Sequence, residues 1–169
     1  TLTSRADPDA NRGAADALRE GLEAYDRSQG LFHGPAAHVD AASFNAADVA
    51  SWRKALAGAD VARAVPGRFT AKVHALNEKA ARIGIEGVKD DSDGHFLRLE
   101  DVAWARVGSG AGWQAARSMR EFASVGDVLH VGPAYDAAGA FHGWTFRQIP
   151  EVQGAFMAMD TRTGRVLAM

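Results

Sequence analysis

The sequence predicts an α+β fold that is mainly β, with a small β-barrel and an N-terminal helix packed on a C-terminal β-hairpin. Three observations lead to this prediction. Near the N-terminus, apolar residues recur at three- and four-residue spacing, which indicates an amphipathic helix. From residue 68 the period changes to two, which indicates strands. Five or so short strands with turn signals then follow in about 80 residues, the density expected of a small barrel.

The first helix is predicted from about Pro8 to Arg27. Asp7 is a candidate N-cap directly before a proline, and Gly30 ends the apolar pattern. The opposite face is charged, so one side of this helix is expected to pack on another element. Its apolar face consists of Ala14, Ala17, Leu18, Leu22 and Tyr25.

A loop and a second helix are expected next. Residues 30–42 are rich in Gly, Ala, Pro and His, a composition typical of loops. Ser43 or Asn45 is the predicted cap of the second helix, whose apolar residues recur as far as Val61. Pro66-Gly67 is the predicted end of this region.

The alternating pattern continues to residue 149 and is typical of a barrel such as the OB-fold. Turns are expected at Asn77-Glu78, at residues 91–94 and at residues 136–139, and a short helix at residues 113–122. The predicted strands cover residues 69–75, 81–85, 95–99, 102–106, 127–131 and 141–149.

The last seventeen residues predict a hairpin around the turn at residues 161–164. Its first strand, residues 155–159, is apolar on both faces, which is typical of a strand in the middle of a covered sheet. We therefore expect the chain to be a piece of a larger protein that ends just inside its next domain. Residues 1–4 are expected to pair with this hairpin, with the first helix covering one side.

Four segments carry a resemblance to a known family, in the order in which that family has them. Residues 149–169 resemble the segment entering the transpeptidase domain of class A penicillin-binding proteins. Residues 17–27 are similar to the linker that leaves the glycosyltransferase domain in 1A-type members. Residues 104–106 and 122–128 resemble landmarks of the OB-like domain inserted between them.

This resemblance implies three regions: a linker with two helices and a loop at 1–64, an OB-like barrel at 65–150, and the first transpeptidase hairpin at 151–169. It implies a non-catalytic segment with two separable roles: a spacer that fixes the distance between the two catalytic domains, or a docking surface for regulatory partners, including outer-membrane lipoproteins. It also implies that the parent protein lies on the periplasmic side of a bacterial inner membrane. The parent would be bifunctional, a peptidoglycan glycosyltransferase and transpeptidase.

Composition favours an ordinary globular protein and disfavours polyanion binding. The net charge of −2 is spread along the chain and forms no basic stripe. There is no cysteine, which excludes disulfides and thiolate sites. No apolar run approaches the roughly 18 residues that a membrane span requires. An OB-fold module that binds single-stranded nucleic acid remains the alternative function, because strand density also fits it.

One set of residues resembles the three active-site motifs of the penicillin-binding transpeptidases. Ser51 and Lys54 have the Ser-x-x-Lys spacing, Ser43-Phe-Asn45 imitates the second motif, and residues 162–164 imitate the third with Arg162 in place of lysine. The order is wrong, because the serine-asparagine pair precedes the serine-lysine pair. We therefore predict no catalytic residue, a solvated helix face for Arg53 and Lys54, and a hairpin turn at residues 162–164.

The stretch from Lys89 to Glu100 resembles a calcium loop. Asp91, Asp93, Gly94 and Glu100 fall at loop positions 3, 5, 6 and 12. Lys89 stands at position 1, where a carboxylate should coordinate, and the flanks are strand-like. A plain hairpin turn is therefore preferred, and no metal is predicted.

The histidines and tryptophans give no recognisable site. The histidines lack the spacing of a zinc site, so surface or edge-strand positions are expected and no cofactor is predicted. The tryptophans do not interleave with basic residues, so core packing is expected for them. The histidines are His33, His38, His74, His95, His130 and His142, and the tryptophans are Trp52, Trp104, Trp113 and Trp144.

Overall fold

The computed structural model describes residues 7–63, 65–89, 94–110 and 112–169. The chain divides into two compact units, one from the described residues up to 29 with 149–169 and one from 30–148. Its elements are α1 (Pro8–Gln29), β1 (Ala37–His38), a 3₁₀ helix (Ala41–Ser43), α2 (Val49–Ala57), β2 (Phe69–Leu76), β3 (Ala80–Ile85), β4 (His95–Arg98), α3 (Leu99–Val102), β5 (Arg106–Val107), β6 (Gln114–Ala115), α4 (Met119–Phe122), β7 (Asp127–Tyr135), β8 (Phe141–Arg147), β9 (Ala158–Met159) and β10 (Val166–Ala168).

In the first unit, helix α1 begins and ends where the sequence predicts. The side chain of Asp7 accepts a hydrogen bond from the backbone N–H of Asp9 at 2.9 Å, which satisfies a donor of the first turn. Gly30 follows the helix with φ of +65°, a conformation that glycine adopts without steric strain.

Helix α1 packs on the terminal hairpin, which confirms that prediction. The N–H of Asp7 donates to the carbonyl of Leu167 at 3.1 Å, and the N–H of Met169 donates to the Asn11 side chain at 3.0 Å. Between these contacts, Ala168 is buried. The predicted pairing of residues 1–4 lies outside the described residues.

The hairpin itself is shorter and more exposed than predicted. Only Ala158–Met159 pairs with β10, and the apolar side chains of Phe156, Met157 and Met159 are exposed, so the expected burial of residues 155–159 is wrong for this chain. The turn is as predicted. Gly164 donates its N–H to the carbonyl of Asp160 at 2.8 Å, and the Asp160 side chain accepts from the N–H of Arg162.

In the second unit, five antiparallel strands follow one another in the order β4-β3-β2-β7-β8. Strand β1 pairs with the first two residues of β7. In the described residues no backbone ladder joins β4 to β8, but the indole N–H of Trp144 donates to His95 Nδ1 at 3.3 Å across that gap. This is a five-stranded, partly open barrel of the OB kind, with helices between its third and fourth strands. The predicted α+β fold is confirmed.

The inside of the barrel is the main hydrophobic core. Every member of its centre is at most 1% exposed. Phe32 and Phe122 close one end against Phe146, with ring centroids 5.6 and 5.0 Å from it. The central side chains are Ala71, Val73, Ala81, Ile83, Ile85, Leu97, Leu129, Val131 and Phe146.

A second, smaller core covers the outer face of β2 and β7. Trp52 and Leu56 of α2 are fully buried against Val128. Helix α2 therefore lies over the sheet rather than in solvent. This covering layer explains why polar side chains on the outer face of β2 are buried.

Five local predictions are wrong in detail. The segment 30–42 is not all loop, because it contains β1 and the start of the 3₁₀ helix. Helix α2 is capped by Asp48, whose carboxylate accepts from the N–H of Ala50 at 3.0 Å, so neither Ser43 nor Asn45 is the cap. The helix ends at Ala57, with Gly58 as its C-cap.

The other two differences lie between the third and fourth barrel strands. Residues 99–102 form a helical turn, because the Asp101 carboxylate accepts from the N–H of Arg98 at 2.9 Å. Burial raises the pKa of Asp101. Only Met119–Phe122 is helical in the predicted 113–122 helix, since Gln114–Ala115 pairs with Arg106–Val107.

Candidate functional site

Three of the residues that imitate the transpeptidase motifs, Ser43, Ser51 and Lys54, line one open groove of about 630 Å³ beside α2. Ser51 and Lys54 come from α2, Ser43 from the 3₁₀ helix, and His38 from β1. The remaining lining consists of glycine and small aliphatic side chains, and no described carboxylate lines the groove. The structure thus places His38 beside Ser43, Ser51 and Lys54, an association that no sequence spacing indicates.

A buried carboxylate orients His38. Nδ1 of His38 lies 2.7 Å from Oδ1 of Asp127, whose other oxygen accepts from the N–H of Ser124 at 2.7 Å. The Asp127 side chain is 10% exposed, whereas that of His38 is 54% exposed. An ionised carboxylate can only accept, so His38 carries its hydrogen on Nδ1 and its Nε2 has no hydrogen-bond partner among the described residues.

Backbone geometry forces this pair together. Strand β1 pairs with β7 so that His38 lies opposite Asp127. Gly126 precedes the pair with φ of +96°, and a Cβ there would lie 2.2 Å from the carbonyl oxygen of Val39. Only glycine permits this close approach without strain.

The serines of the groove have structural hydrogen bonds. Ser51 Oγ accepts from the N–H of Asn45 at 3.0 Å, and Ser43 Oγ donates to the carbonyl of Asp40 at 2.6 Å. In the described part of the chain, Ser51 makes no hydrogen bond to His38 or Lys54. The arrangement therefore lacks the serine-to-base contact that an activated nucleophile requires.

The two basic residues of α2 behave differently. Arg53 is not solvated as predicted: its guanidinium donates to the carbonyl of Val88 and lies 4.9 Å from the ring centroid of Trp52. Lys54 is exposed, and its ammonium has no hydrogen bond or ion pair within the described residues. Lys54 is thus available to a ligand.

Beneath α2 lies a buried polar layer that sequence reasoning missed. Lys72 is fully buried, and its Nζ lies 2.8 Å from the ring centroid of Phe44. Neither Lys72 Nζ nor Trp52 Nε1 makes a hydrogen bond within the described residues. Burial lowers the pKa of Lys72 to about 8. The buried Lys72 ammonium is therefore an energetic cost to the fold, and the layer is not an accessible binding site.

Two histidines are also buried, which corrects the expected surface positions. His74 and His130 are buried on the outer face of the sheet. Burial, and then the charge of Arg68, lower the pKa of His130. The alternating pattern did not predict the burial of His74, because Trp52 of α2 covers a face that periodicity alone assigns to solvent.

The remaining histidines are spread over the barrel. His142 is exposed, while His33 and His95 are half-buried. Within the described ranges no three histidine or carboxylate side chains are close enough to hold a metal.

The proposed calcium loop is described only in part. Asp91 and Asp93 lie outside the described residues. Gly94 has φ of +75°, and Glu100 forms an ion pair with Arg98 at 3.4 Å. The carbonyl of Lys89 contacts His95 Nε2 at 3.0 Å. The calcium alternative stays untested.

Three tryptophans confirm the predicted packing role. Trp52 and Trp144 are buried, and the Trp104 ring stacks on Phe146 with centroids 5.5 Å apart. Trp113 is half-buried and belongs to neither core.

One residue joins the beginning of the second unit to its end. The amide nitrogen of Gln148 donates to the carbonyl of Leu31 at 2.7 Å, and its amide oxygen accepts from the N–H of His33 at 3.3 Å. The Gln148 residue is only 6% exposed. The first and last residues of the barrel unit are therefore neighbours.

Comparison with known proteins identifies the class to which this fold belongs. The family model described as "Penicillin-binding protein OB-like domain" matches residues 32–152, well over half of the chain. The chain belongs to this family, and the resemblance to class A penicillin-binding proteins is confirmed.

The relatives are all named penicillin-binding protein 1A. The Rickettsia typhi protein is 29% identical over 170 residues, which is 99% of this chain and 18% of that protein. The Vibrio cholerae protein is 28% identical over 103 residues, which is 60% of this chain and 12% of that protein. This chain thus spans about a fifth of the length of its most extensively matched relatives.

A solved structure supports the fold. The 2.6 Å crystal structure of penicillin-binding protein 1A from Haemophilus influenzae superposes with a TM-score of 0.63 at 19% identity. The match covers 96% of this chain and 20% of that one.

Within the described residues, no helix combines the length and the hydropathy required to cross a bilayer.

Proposed function

We propose that this chain is the non-catalytic connector of a bifunctional, 1A-type penicillin-binding protein that acts in cell-wall synthesis. Its parent would polymerise lipid-linked disaccharide in one domain and cross-link stem peptides in another, on the periplasmic side of the inner membrane. The proposal rests on the match over residues 32–152 and on relatives whose similarity covers 99% of the chain. The segmentation predicted from the sequence is 1–64, 65–150 and 151–169; the proposal uses the two compact units of the structure instead, the described residues up to 29 with 149–169, and 30–148.

Within this connector, the two units have different roles. The contacts of Asp7 with Leu167 and of Met169 with Asn11 join the beginning and end of the first unit directly. The mechanical path between the flanking catalytic domains therefore runs through the first unit, and this unit sets their spacing.

We propose that the second unit is a docking module. The observation that carries this step is the closure of its two ends by Gln148 on Leu31 and His33. An insertion whose ends meet changes the separation of its flanking segments little. Its expected partners are periplasmic or outer-membrane lipoprotein regulators. The single-stranded nucleic-acid alternative has no comparable support, although it stays testable by a salt-dependent titration.

The test is to replace residues 31–147 of the full-length parent with a short Gly-Ser loop. The purified enzyme is expected to keep polymerisation and cross-linking of lipid-linked disaccharide pentapeptide within about twofold, since loop closure across neighbouring ends is entropically cheap. Cells that depend on this protein alone for class A activity are expected to lose wall synthesis. A matched control replaces the same residues with an unrelated domain whose ends are equally close.

Loss of cross-linking in the purified deletion, restored by the unrelated domain, would instead show that the barrel unit is a spacer. Full wall synthesis in cells carrying the deletion would contradict a docking role.

A further inference from the structure

We infer that the groove beside α2 binds an oxyanion, a carboxylate or phosphate group of a small molecule, through Lys54, Ser51 and His38. These residues belong to no established site, and the inference does not depend on the proposed docking role. The groove measures about 630 Å³, within the range of small-molecule sites.

The first argument is the chemistry of the lining. The polar lining side chains are one ammonium, one imidazole and two hydroxyls, with no described carboxylate among them. The nearby carboxylates of Asp40 and Asp48 each accept a backbone N–H, from Ala42 and Ala50. Ser51, Lys54 and the imidazolium form of His38 are the donors that this lining offers, and an oxyanion is the ligand that matches them.

The second argument is that these donors have unused capacity. Lys54 has no polar partner in the described part of the chain. Ser51 Oγ accepts one hydrogen bond, and its own hydrogen has no acceptor among the described residues. An oxyanion could accept from the hydroxyl of Ser51 and the ammonium of Lys54, which lie three residues apart on one helical face.

The third argument is the preorganisation of His38. The Asp127 contact fixes the ring through Nδ1, and Gly126 holds that contact by allowing β1 to approach β7. In the imidazolium form, Nε2 also carries a hydrogen and donates into the groove. Fixing a donor before the ligand arrives reduces the entropy lost on binding. The Asp127–His38 pair would therefore contribute to ligand binding as well as to the stability of the fold.

The experiment uses the ¹⁵N-labelled 169-residue chain at mildly acidic pH and constant ionic strength. Sodium acetate and sodium phosphate are titrated against sodium chloride while backbone and imidazole resonances are recorded. We expect saturable shifts at His38, Ser51 and Lys54 with a Kd on the order of 1–20 mM, as suits an open site with few contacts. Saturation by acetate alone indicates a carboxylate ligand, and saturation by phosphate alone a phosphorylated one; either result supports the site.

Variants make the test specific. Lys54→Gln and His38→Gln should each weaken binding at least about fivefold, while Lys79→Gln, an exposed lysine in the β2–β3 turn, should leave it unchanged. The ¹⁵N spectrum of each variant reports whether the fold is intact. Linear shifts equal to those of chloride, or equal affinity in Lys54→Gln and Lys79→Gln, would overturn the inference, as would unchanged affinity in a folded His38→Gln.

Discussion

The two faces of strand β2 are both buried, yet they are built from different chemistry. The inner face contributes Ala71 and Val73 to the barrel core, whereas the outer face carries the buried polar residues Thr70, Lys72 and His74. Burial of the apolar inner face stabilises the folded state by removing apolar surface from water. The outer face must also satisfy or tolerate polar groups. Burial alone therefore does not measure how much a face stabilises the fold.

The largest effect is expected from removing inner-face volume. Leu129→Ala should lower the free energy of unfolding by about 2–5 kcal/mol, because Leu129 is 1% exposed and its loss leaves a cavity in a closed core. Urea unfolding followed by circular dichroism measures this change. Val49→Ala on the exposed start of α2 is the control and should change it by no more than about 0.5 kcal/mol. A loss below 1 kcal/mol for Leu129→Ala would mean that the barrel interior repacks.

An intermediate effect is expected from adding volume to the outer layer. A Cβ on Gly84 would lie 2.5 Å from Cε1 of His74 and 3.0 Å from the Trp52 ring, so Gly84→Ala should cost about 1–3 kcal/mol. Denaturant unfolding provides the measurement. The control, Gly21→Ala, places a methyl in open space on α1 and should stabilise by about 0.5–1 kcal/mol. If Gly84→Ala were neutral, the layer beneath α2 would be loosely packed.

The smallest effect, and the most specific, concerns Lys72. Its pKa falls from the ordinary 10.5 to about 8 in the folded chain. Between these pH values the unfolded chain still holds the proton that the folded chain has released, so the free energy of unfolding rises with pH. Lys72→Met should remove this rise and add about 1 kcal/mol at neutral pH, since it removes a buried unpaired ammonium.

The measurement for Lys72 is urea unfolding at several pH values from 7 to 10, a range chosen to span its pKa of about 8. Lys79→Met, on the exposed β2–β3 turn, is the matched control and should keep the pH dependence of the original chain. An unchanged pH dependence in Lys72→Met would show that another group causes it.

Much of the barrel was predictable because its signals are local. Asn77 illustrates this: its side chain accepts from the N–H groups of Lys79 and Ala80, which is the turn chemistry its sequence position indicates. The change of period near residue 68 likewise predicted β2, whose alternation reflects the inner core.

The features that could not be predicted from the sequence depend on contacts between residues that are distant along the chain. His38 and Asp127 are 89 positions apart, and no spacing rule connects them. The burial of Lys72 depends on Phe44 and α2, which cover a face that would otherwise be wet. In the case of the α2 cap, three eligible residues lay close together, and Asp48 proved to be the one next to the helix.

The contact between Trp144 and His95 has a consequence for how the barrel wall can move. Along that line the described residues of β4 and β8 meet through side chains, so separating them there breaks one indole hydrogen bond and no backbone bond. The other neighbouring pairs of the five strands are joined by backbone hydrogen bonds between N–H and C=O groups. Among the described residues, the β4–β8 junction is the one neighbouring-strand contact of the barrel without a backbone ladder, so we expect slow opening of the barrel wall to begin there.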